Sequence, residues 1–440
     1  MFQLTESAKF WRRMAQETKD YARKEYGRDF LFSFSAAPEF VTHFMPTDYI
    51  DYLTGEHFYF HGGFEVPKSA VVIKMSEGLA PKMAILVEVA HDLGTLPQSV
   101  SDMFKYIFAD IYSADGFMMV DGDGFKTMLG WDYLDDKKVT YDVDEAANYV
   151  AFASAHPELY GLDEPARVGV IHSIASRRHF INPFVEDGSF NESSIKGVVD
   201  MLLNLNVPMK TIVSGDGELI RKTLTAADLA GLDVVVLPHV TMISDEEVTA
   251  LLNYARDGGS VIAIATFGTH DREGKSVVRP ELAGLGTAGE HSLGNGTWFT
   301  INDDLGELYA NNYKANRIYM PTERTNTNAP FVAFRDALLR YYEPEIVTSA
   351  PLTVNIRRYA DDARLVLHMV NYNYNHLSDR LTPAGPFTIT LALPEGSTPV
   401  TAVFYEFEGT RKTELDFTVK DGKASLTIPS LYAYSIVELR

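Results

Sequence analysis

Cysteine is absent from the 440-residue sequence, and this absence excludes several kinds of chemistry at once. A chain without thiols forms no disulfide, offers no thiolate nucleophile and builds no zinc site from cysteine ligands. The glycine-rich fingerprint of dinucleotide-binding domains is missing as well. Zinc sites built from cysteine are thereby excluded, and we expect no metal and no cofactor.

Basic residues are few relative to acidic ones. The 39 Lys and Arg residues stand against 60 Asp and Glu residues, which gives a formal net charge of −21 at pH 7. Surfaces that follow nucleic acid phosphates or bind anionic membranes need clustered Lys and Arg. Long apolar runs are also missing, since no stretch approaches the roughly 20 apolar residues of a membrane-spanning helix. We expect neither nucleic acid nor a membrane as partner.

The N-terminal segment, residues 1–26, has the pattern of a charged amphipathic helix without the apolar core of a secretion signal. Cytoplasm is therefore the expected location. The composition is otherwise that of an ordinary globular protein, with 46% hydrophobic and 22% charged residues. At roughly 150 residues per domain, the length predicts three domains.

Three segments follow one another with different patterns. Residues 1–155 alternate helices with strands, which is typical of parallel βαβ units. Residues 156–345 show this alternation more regularly and predict a doubly wound α/β domain, in which Ser244 and Glu247 form a capping box. Residues 346–440 contain short alternating strands with Asp-Gly and Pro-Ala-Gly turns, which indicate an antiparallel β-sandwich.

Several stretches carry a resemblance to a known architecture. The stretch DVVVLPHVTMISDEEVTALLNYARDGGSVIAIATFG looks very like a flavodoxin-like, glutamine-amidotransferase-like module, and LVLHMVNYNYN and PAGPFTITLALPEG look like the β-domain that ends such enzymes. The order of the segments resembles that of β-galactosidases with a trimerisation domain, in which a (β/α)8 barrel precedes a flavodoxin-like domain and a small β-domain. The resemblance implies a glycoside hydrolase with a carbohydrate substrate.

The first segment is similar to the second half of a glycosidase barrel, in which DYLTGEHFY supplies Glu56 and KMAILVEVAHD supplies Glu88. A complete barrel needs about 250 residues, so residues 1–155 leave room for only part of one. The resemblance implies that the first four strands, with the usual position of the general acid/base, are not among these residues. A truncated product, a half-barrel subunit of a split enzyme and a degenerate relative all fit this pattern.

Glycoside hydrolysis needs two carboxyl groups beside the glycosidic bond, and barrel enzymes carry such groups where strands meet the carboxyl-terminal loops. Glu88 follows the apolar run MAILV and precedes a loop, and Glu56 stands in a Gly-Glu-His stretch expected to end a strand. We predict Glu88 as nucleophile or electrostatic stabiliser, and Glu56 or a residue of a partner chain as acid. The alternative interpretation is that both are ion-paired strand-end carboxylates.

Aromatic and imidazole rings follow Glu56 directly. His57, Tyr59 and His61 offer rings on which a pyranose face packs, although an ordinary buried aromatic cluster is an equally good interpretation. Trp131 is a separate candidate for a platform beneath the sugar.

Asp121 and Asp123 stand two positions apart after the expected last barrel strand. Their spacing resembles a fragment of a calcium loop, but the other ligands and the terminal Glu of an EF-hand are absent. We predict a turn that contacts substrate rather than a metal site.

The second domain carries no predicted chemistry. Its resemblance to amidotransferases implies a cysteine nucleophile with His and Glu partners, and the chain has no cysteine, so a scaffold or an oligomer interface is predicted. A half barrel exposes two open strand edges, which predicts a homo-oligomer or a second chain that completes the barrel. The competing hypothesis is a non-catalytic carbohydrate-binding or assembly protein that kept the glycosidase architecture.

Overall fold

A computed structural model of the protein shows parallel sheets followed by antiparallel sheets. This confirms the coarse prediction of a mixed α/β chain with an antiparallel C-terminal region. None of the helices over the described ranges is long and apolar enough to cross a membrane. The structure describes residues 2–35, 50–61, 69–80, 82–91, 101–119, 143–179, 190–217, 220–316, 328–375, 378–394, 396–407 and 411–440.

The first sheet consists of four parallel strands. Its elements and their flanking helices are α1 (Phe2–Tyr26), β1 (Ser33–Ser35), β2 (Tyr52–His61), α2 (Ser69–Ser76), β3 (Met83–His91), α3 (Ser101–Ser113), β4 (Phe117–Met119) and α4 (Val143–Ala155). The strands lie side by side in the order β1-β2-β3-β4. Helices cover one face, because Leu53 of β2 and Met83 of β3 share a hydrophobic core with Ile107 and Phe108 of α3.

The second sheet and its flanking helices follow along the chain. The elements are a 3-10 turn (Pro157–Leu159), β5 (Val168–Ser173), α5 (Ile174–His179), α6 (Phe190–Asn204), β6 (Met209–Ser214), α7 (Ala226–Leu229), β7 (Val234–Pro238), α8 (Asp245–Arg256), β8 (Ser260–Ile264), a second 3-10 turn (Pro280–Leu282), β9 (Gly289–Leu293), β10 (Gly296–Ile301), α9 (Leu305–Asn316) and α10 (Ala329–Leu338). In the described residues the sheet has six strands in the order β6-β5-β7-β8-β10-β9. All of them are parallel except β9, which pairs with β10 in an antiparallel hairpin.

Both faces of this second sheet are covered. Val170 and Val234 belong to one core together with residues of α6, whereas Ile171 and Val235 belong to another together with residues of α8. Strands that are buried on both faces have nearly continuous apolar sequences, which is why these segments are clear in the sequence. The polar β9 lies at the edge, where such covering is not needed.

The predicted capping box at the start of α8 is confirmed. Ser244 Oγ accepts a hydrogen bond from the Glu247 backbone N–H at 3.3 Å, and Glu247 Oε2 accepts one from the Ser244 backbone N–H at 3.1 Å. Two backbone donors that the helix leaves unpaired are satisfied in this way.

The C-terminal region consists of antiparallel strands. They are β11 (Ile346–Thr348), β12 (Val354–Ala360), β13 (Leu365–Asn371), β14 (Tyr374–Asn375), β15 (Arg380–Leu381), β16 (Phe387–Ala392), β17 (Ala402–Glu406), β18 (Arg411–Glu414), β19 (Phe417–Lys420), β20 (Lys423–Ile428) and β21 (Tyr434–Leu439). In the described residues they form two sheets, β11-β16-β20-β19 and β12-β13-β21-β17-β18, and a small hairpin, β14-β15. Leu367, Ile389 and Leu426 share one core between the two sheets.

One hydrophobic core joins all three regions of the chain. It contains Leu53 of the first sheet, Val199 of α6 and Val366 of β13. Strand β13 is buried along its whole length, because alternate residues pack on the other antiparallel sheet, which contains β16 and β20, and on the α/β regions. The first sheet is thereby attached to the rest of the chain through its helices.

Candidate functional site

The two candidate glutamates lie on neighbouring parallel strands. Phe58 of β2 is paired with Glu88 of β3, and Glu56 is paired with Leu86. Residues two apart on a strand share a face, so the register places Glu56 and Glu88 on the same face of the sheet. With the usual strand spacing and rise, their Cα atoms lie about 8 Å apart.

This face is the one that faces away from the helices. Leu53 and Met83 form a register pair on the helix-covered side, and side chains alternate between faces along a strand. The positions of Thr54, Glu56, Ala84 and Glu88 therefore fall on the opposite side, which we call the glutamate face. The Ser33 and Thr54 hydroxyls are hydrogen-bonded to each other near its amino-terminal end.

The two glutamates differ in their distance from the carboxyl edge of the sheet. Glu88 lies three residues before β3 ends at His91. Glu56 lies five residues before β2 ends at His61. The Gly-Glu-His stretch is therefore strand interior and not the strand exit that we expected. Gly55 does not begin a turn there because its backbone is paired with Ile85 of β3.

The register separates the ring-bearing candidates from the glutamates. His57, Tyr59 and His61 occupy the alternate positions of β2, which belong to the helix side of the sheet, whereas Phe58 shares the glutamate face. The role of His57, Tyr59 and His61 in binding substrate stays a prediction.

Three further candidates, Asp121, Asp123 and Trp131, lie outside the described residues. The strand before them, β4, is paired with β3 through Phe117 and Ala84. Phe117 therefore belongs to the glutamate face, and its side chain is 53% exposed. Over the described ranges, no group of three or more His, Asp or Glu side chains is placed to hold a metal ion.

A buried polar cluster lies where α3 begins, at the carboxyl edge of the first sheet. Asp102 Oδ2 accepts hydrogen bonds from the Leu381 backbone N–H at 2.9 Å and from the Tyr432 hydroxyl at 2.5 Å. The Asp102 backbone N–H donates to Asp379 Oδ2 at 3.3 Å. The C-terminal region thus holds the start of the helix that follows the Glu88 strand.

Aromatic side chains extend this cluster. The Tyr374 hydroxyl donates to Asp379 Oδ1 at 2.8 Å, and burial together with this carboxylate raises the pKa of Tyr374. Lys105 Nζ lies 5.3 Å from the centre of the Tyr432 ring. Of this polar cluster, only Asp102 could be suspected from the sequence, because it stands in the first turn of a predicted helix. Its partners are more than 270 residues away in the chain.

No protein-family model matches the sequence, and no curated protein matches it in sequence. Solved structures do resemble the fold. A catalytic variant of Gan42B, a GH42 β-galactosidase from G. stearothermophilus, has a TM-score of 0.56 at 9% identity, over 90% of this chain and 60% of that one. The β-galactosidase from the haloarchaeon Halorubrum lacusprofundi has a TM-score of 0.56 at 12% identity, over 98% and 67%.

An α-L-fucosidase, isoenzyme 2 from Paenibacillus thiaminolyticus, is similar at a TM-score of 0.50 and 14% identity, over 86% of this chain and 63% of that one. At such identities the likeness concerns the fold, which is that of glycoside hydrolases of these kinds. The chain spans 60% to 67% of the length of the three proteins.

Proposed function

We propose that the protein is a glycoside hydrolase, or a subunit of a split one, that cleaves glycosidic bonds with paired carboxylates. The observation that carries this proposal is the register of β2 and β3, which places Glu56 and Glu88 on one face of a parallel sheet, away from the helices. The glycosidase-like fold supports it. Parallel sheets of this kind present their reacting groups toward the carboxyl ends of the strands.

Glu88 is the nucleophile or electrostatic stabiliser in this proposal, because it lies closer to the carboxyl edge. The acid is Glu56 or a residue of a partner chain. One carboxyl group protonates the leaving oxygen while the other attacks the sugar or activates water. The C-terminal residues that hold the start of α3 fix the helix that follows the Glu88 strand.

The four parallel strands correspond, in this proposal, to the second half of a (β/α)8 barrel over residues 1–155. The six-stranded sheet corresponds to a flavodoxin-like domain over residues 156–345, and the antiparallel sheets to a β-sandwich over residues 346–440. In the described structure, β1 and β4 each pair with one neighbour. A homo-oligomer or a second chain completes the barrel.

The names of the structural relatives suggest which sugars to offer. A panel of aryl glycosides should include aryl β-D-galactosides and aryl α-L-fucosides. Release of the aryl alcohol by the wild-type protein, abolished in Glu88→Gln and retained in Glu281→Gln, supports the enzyme. Glu281 is a matched control because it is an exposed carboxylate in a different region.

The same panel of glycosides also tests the competing hypothesis, that the protein is a non-catalytic carbohydrate-binding or assembly protein. That hypothesis predicts no turnover with any glycoside. It also predicts sugar-dependent thermal stabilisation that Glu88→Gln leaves unchanged. This combination of results would refute the hydrolase proposal.

A further inference from the structure

Two exposed apolar side chains lie at opposite edges of the first sheet. Leu31, two residues before β1, is 67% exposed, and Phe117, the first residue of β4, is 53% exposed. Each edge strand has a single neighbour in the described structure. A strand of another chain can pair with such an edge and would cover the apolar residue beside it.

A hydrogen-bonded row of residues connects the two edges. Ser35 of β1 is paired with Thr54 of β2, Thr54 with Ala84 of β3, and Ala84 with Phe117 of β4. Leu31 stands four residues before Ser35 on the β1 side of the sheet. Leu31 lies before β1 begins; where the extended backbone of β1 continues to it, Leu31 shares the glutamate face with Phe117, because residues four apart in an extended chain share a face.

The geometry of closed barrels relates these two residues. In an eight-stranded barrel with a shear of eight, a hydrogen-bonded row followed once around the barrel returns to its first strand eight residues nearer the amino end. After half a circuit, four strands on, the shift is four residues. The row described above runs from Ser35 of β1 to Phe117 of β4. If a second copy of β1 is placed beside β4, the row continues to residue 31 of that copy, which is four residues before its Ser35.

We infer that two copies of the chain close one eight-stranded parallel barrel, related by a two-fold axis along the barrel, with Phe117 of each copy against the partner's Leu31. This inference rests on the half barrel of the proposed function and names the partner that completes it. The two interfaces are identical, as a two-fold axis requires.

The rest of the chain attaches where it does not obstruct this closure. The backbone carbonyl of Lys74 in α2 accepts a hydrogen bond from Thr211 Oγ1 of β6 at 2.6 Å. Asp102 of α3 is hydrogen-bonded to the C-terminal region. Both helices lie on the side of the sheet opposite the glutamate face. The α/β and antiparallel regions therefore remain outside the closed barrel.

Closure changes the composition of the proposed site. Each copy brings Glu56 and Glu88 positions on the glutamate face, which becomes the common barrel interior. The partner chain then contributes carboxylates across from Glu88. The acid of the proposed mechanism comes from the partner in this arrangement.

The absence of native cysteine makes a cross-linking test unambiguous. In the Leu31→Cys/Phe117→Cys double variant, a mild thiol oxidant should convert most of the chain to a disulfide-linked dimer. Each single variant should stay uncross-linked, because the two copies of either residue lie on opposite sides of the barrel. A Val278→Cys/Val400→Cys variant, with residues 94% and 83% exposed, measures random collision. All positions are exposed, so folding is preserved.

Light scattering of the unmodified chain gives the second measurement, and we expect the mass of a dimer. A monomer, or a dimer whose double variant cross-links no more than the collision control, overturns the inference. Turnover is measured on the unmodified chain, because Leu31 and Phe117 belong to the face that carries the proposed site. A dimer without turnover refutes the proposed hydrolase and leaves the closure standing, whereas Glu88-dependent turnover by a monomer refutes the closure and leaves the hydrolase standing.

Discussion

Arg357 Nη2 lies 3.6 Å from Asp110 Oδ1, and both side chains are buried although the residues belong to β12 and α3. The Arg357 guanidinium also donates to the Tyr372 hydroxyl at 2.8 Å and to the Asp110 carbonyl at 3.2 Å. Tyr372 donates in turn to Asp110 Oδ1 at 2.5 Å. This network joins the helix behind the Glu88 strand to the C-terminal region.

Removal of the Arg357 guanidinium should destabilise the protein strongly. Arg357→Met leaves the Asp110 carboxylate buried without its positive partner, which costs about 3–5 kcal/mol. The free energy of unfolding, measured by urea denaturation, should fall by that amount. Arg23→Met is the matched control, because its ion pair with Asp29 is exposed, and should leave the transition unchanged. Equal effects of the two substitutions would contradict the assigned role.

His368 should make stability dependent on pH. Its Nε2 donates to the Leu159 carbonyl at 3.0 Å and its Nδ1 accepts from the Tyr434 hydroxyl at 2.5 Å, so the neutral ring has both nitrogens paired. Burial lowers the pKa of His368 to about 3, and the charge of Arg357 adds to this effect, although the bond to Leu159 opposes it.

The sign of the pH effect follows from proton binding in the two states. The unfolded chain binds a proton at the ordinary pKa of about 6.5, and the folded chain does not until about pH 3. The free energy of unfolding should therefore fall as the pH decreases through this window, by up to about 1.4 kcal/mol per unit from this residue. His368→Gln should have a shallower slope in urea denaturation series, and an unchanged slope would contradict the prediction.

Gly197 of α6 should not tolerate a methyl group. A Cβ atom built there would lie 2.0 Å from the backbone oxygen of Gly306 in α9, so the two helices must separate. Gly197→Ala should lower the free energy of unfolding by about 1–3 kcal/mol or more. Gly286→Ala, where a Cβ meets open space, should be neutral or slightly stabilising. If Gly197→Ala behaved like this control, the close helix contact would be wrong.

Replacement of Ala265 by glycine should stabilise the folded protein. It follows β8 with φ of 58°, a left-handed conformation that costs an L-residue about 1–2 kcal/mol. Ala265→Gly relieves this cost but loosens the unfolded chain by about 0.4–1 kcal/mol, so a small net stabilisation is expected. Ala230, exposed and with φ of −62°, is the control: Ala230→Gly should destabilise. Thermal melts of both variants check the opposite signs.

The parts of the fold that could be predicted are those that local sequence determines. The capping box of Ser244 and Glu247 depends on residues three apart, and the buried strands of the second sheet are continuous apolar runs. The hairpin β9-β10 was not predicted, because its first strand is polar and lies at an edge. The partners of Arg357 could not be predicted, since Asp110 lies 247 residues away.

The candidate site divides in the same way. The strands that carry Glu56 and Glu88 were predicted from their apolar patterns. The face that each residue occupies depends on the register between strands, which no local pattern determines. The position of Glu56 inside β2 has another cause, because the pairing of β2 with β3 continues to His61. The register alone assigns His57 a strand position that alternates with those of Glu56 and Phe58.

The most direct measurement is kcat/KM for hydrolysis of the best aryl glycoside by the wild-type protein, Glu88→Gln and Glu281→Gln. If Glu88 is a catalytic carboxylate, Glu88→Gln should lower kcat/KM by at least about 100-fold, a typical contribution of a positioned acid or base, while Glu281→Gln keeps the wild-type value. Wild-type turnover that survives in Glu88→Gln would contradict the account.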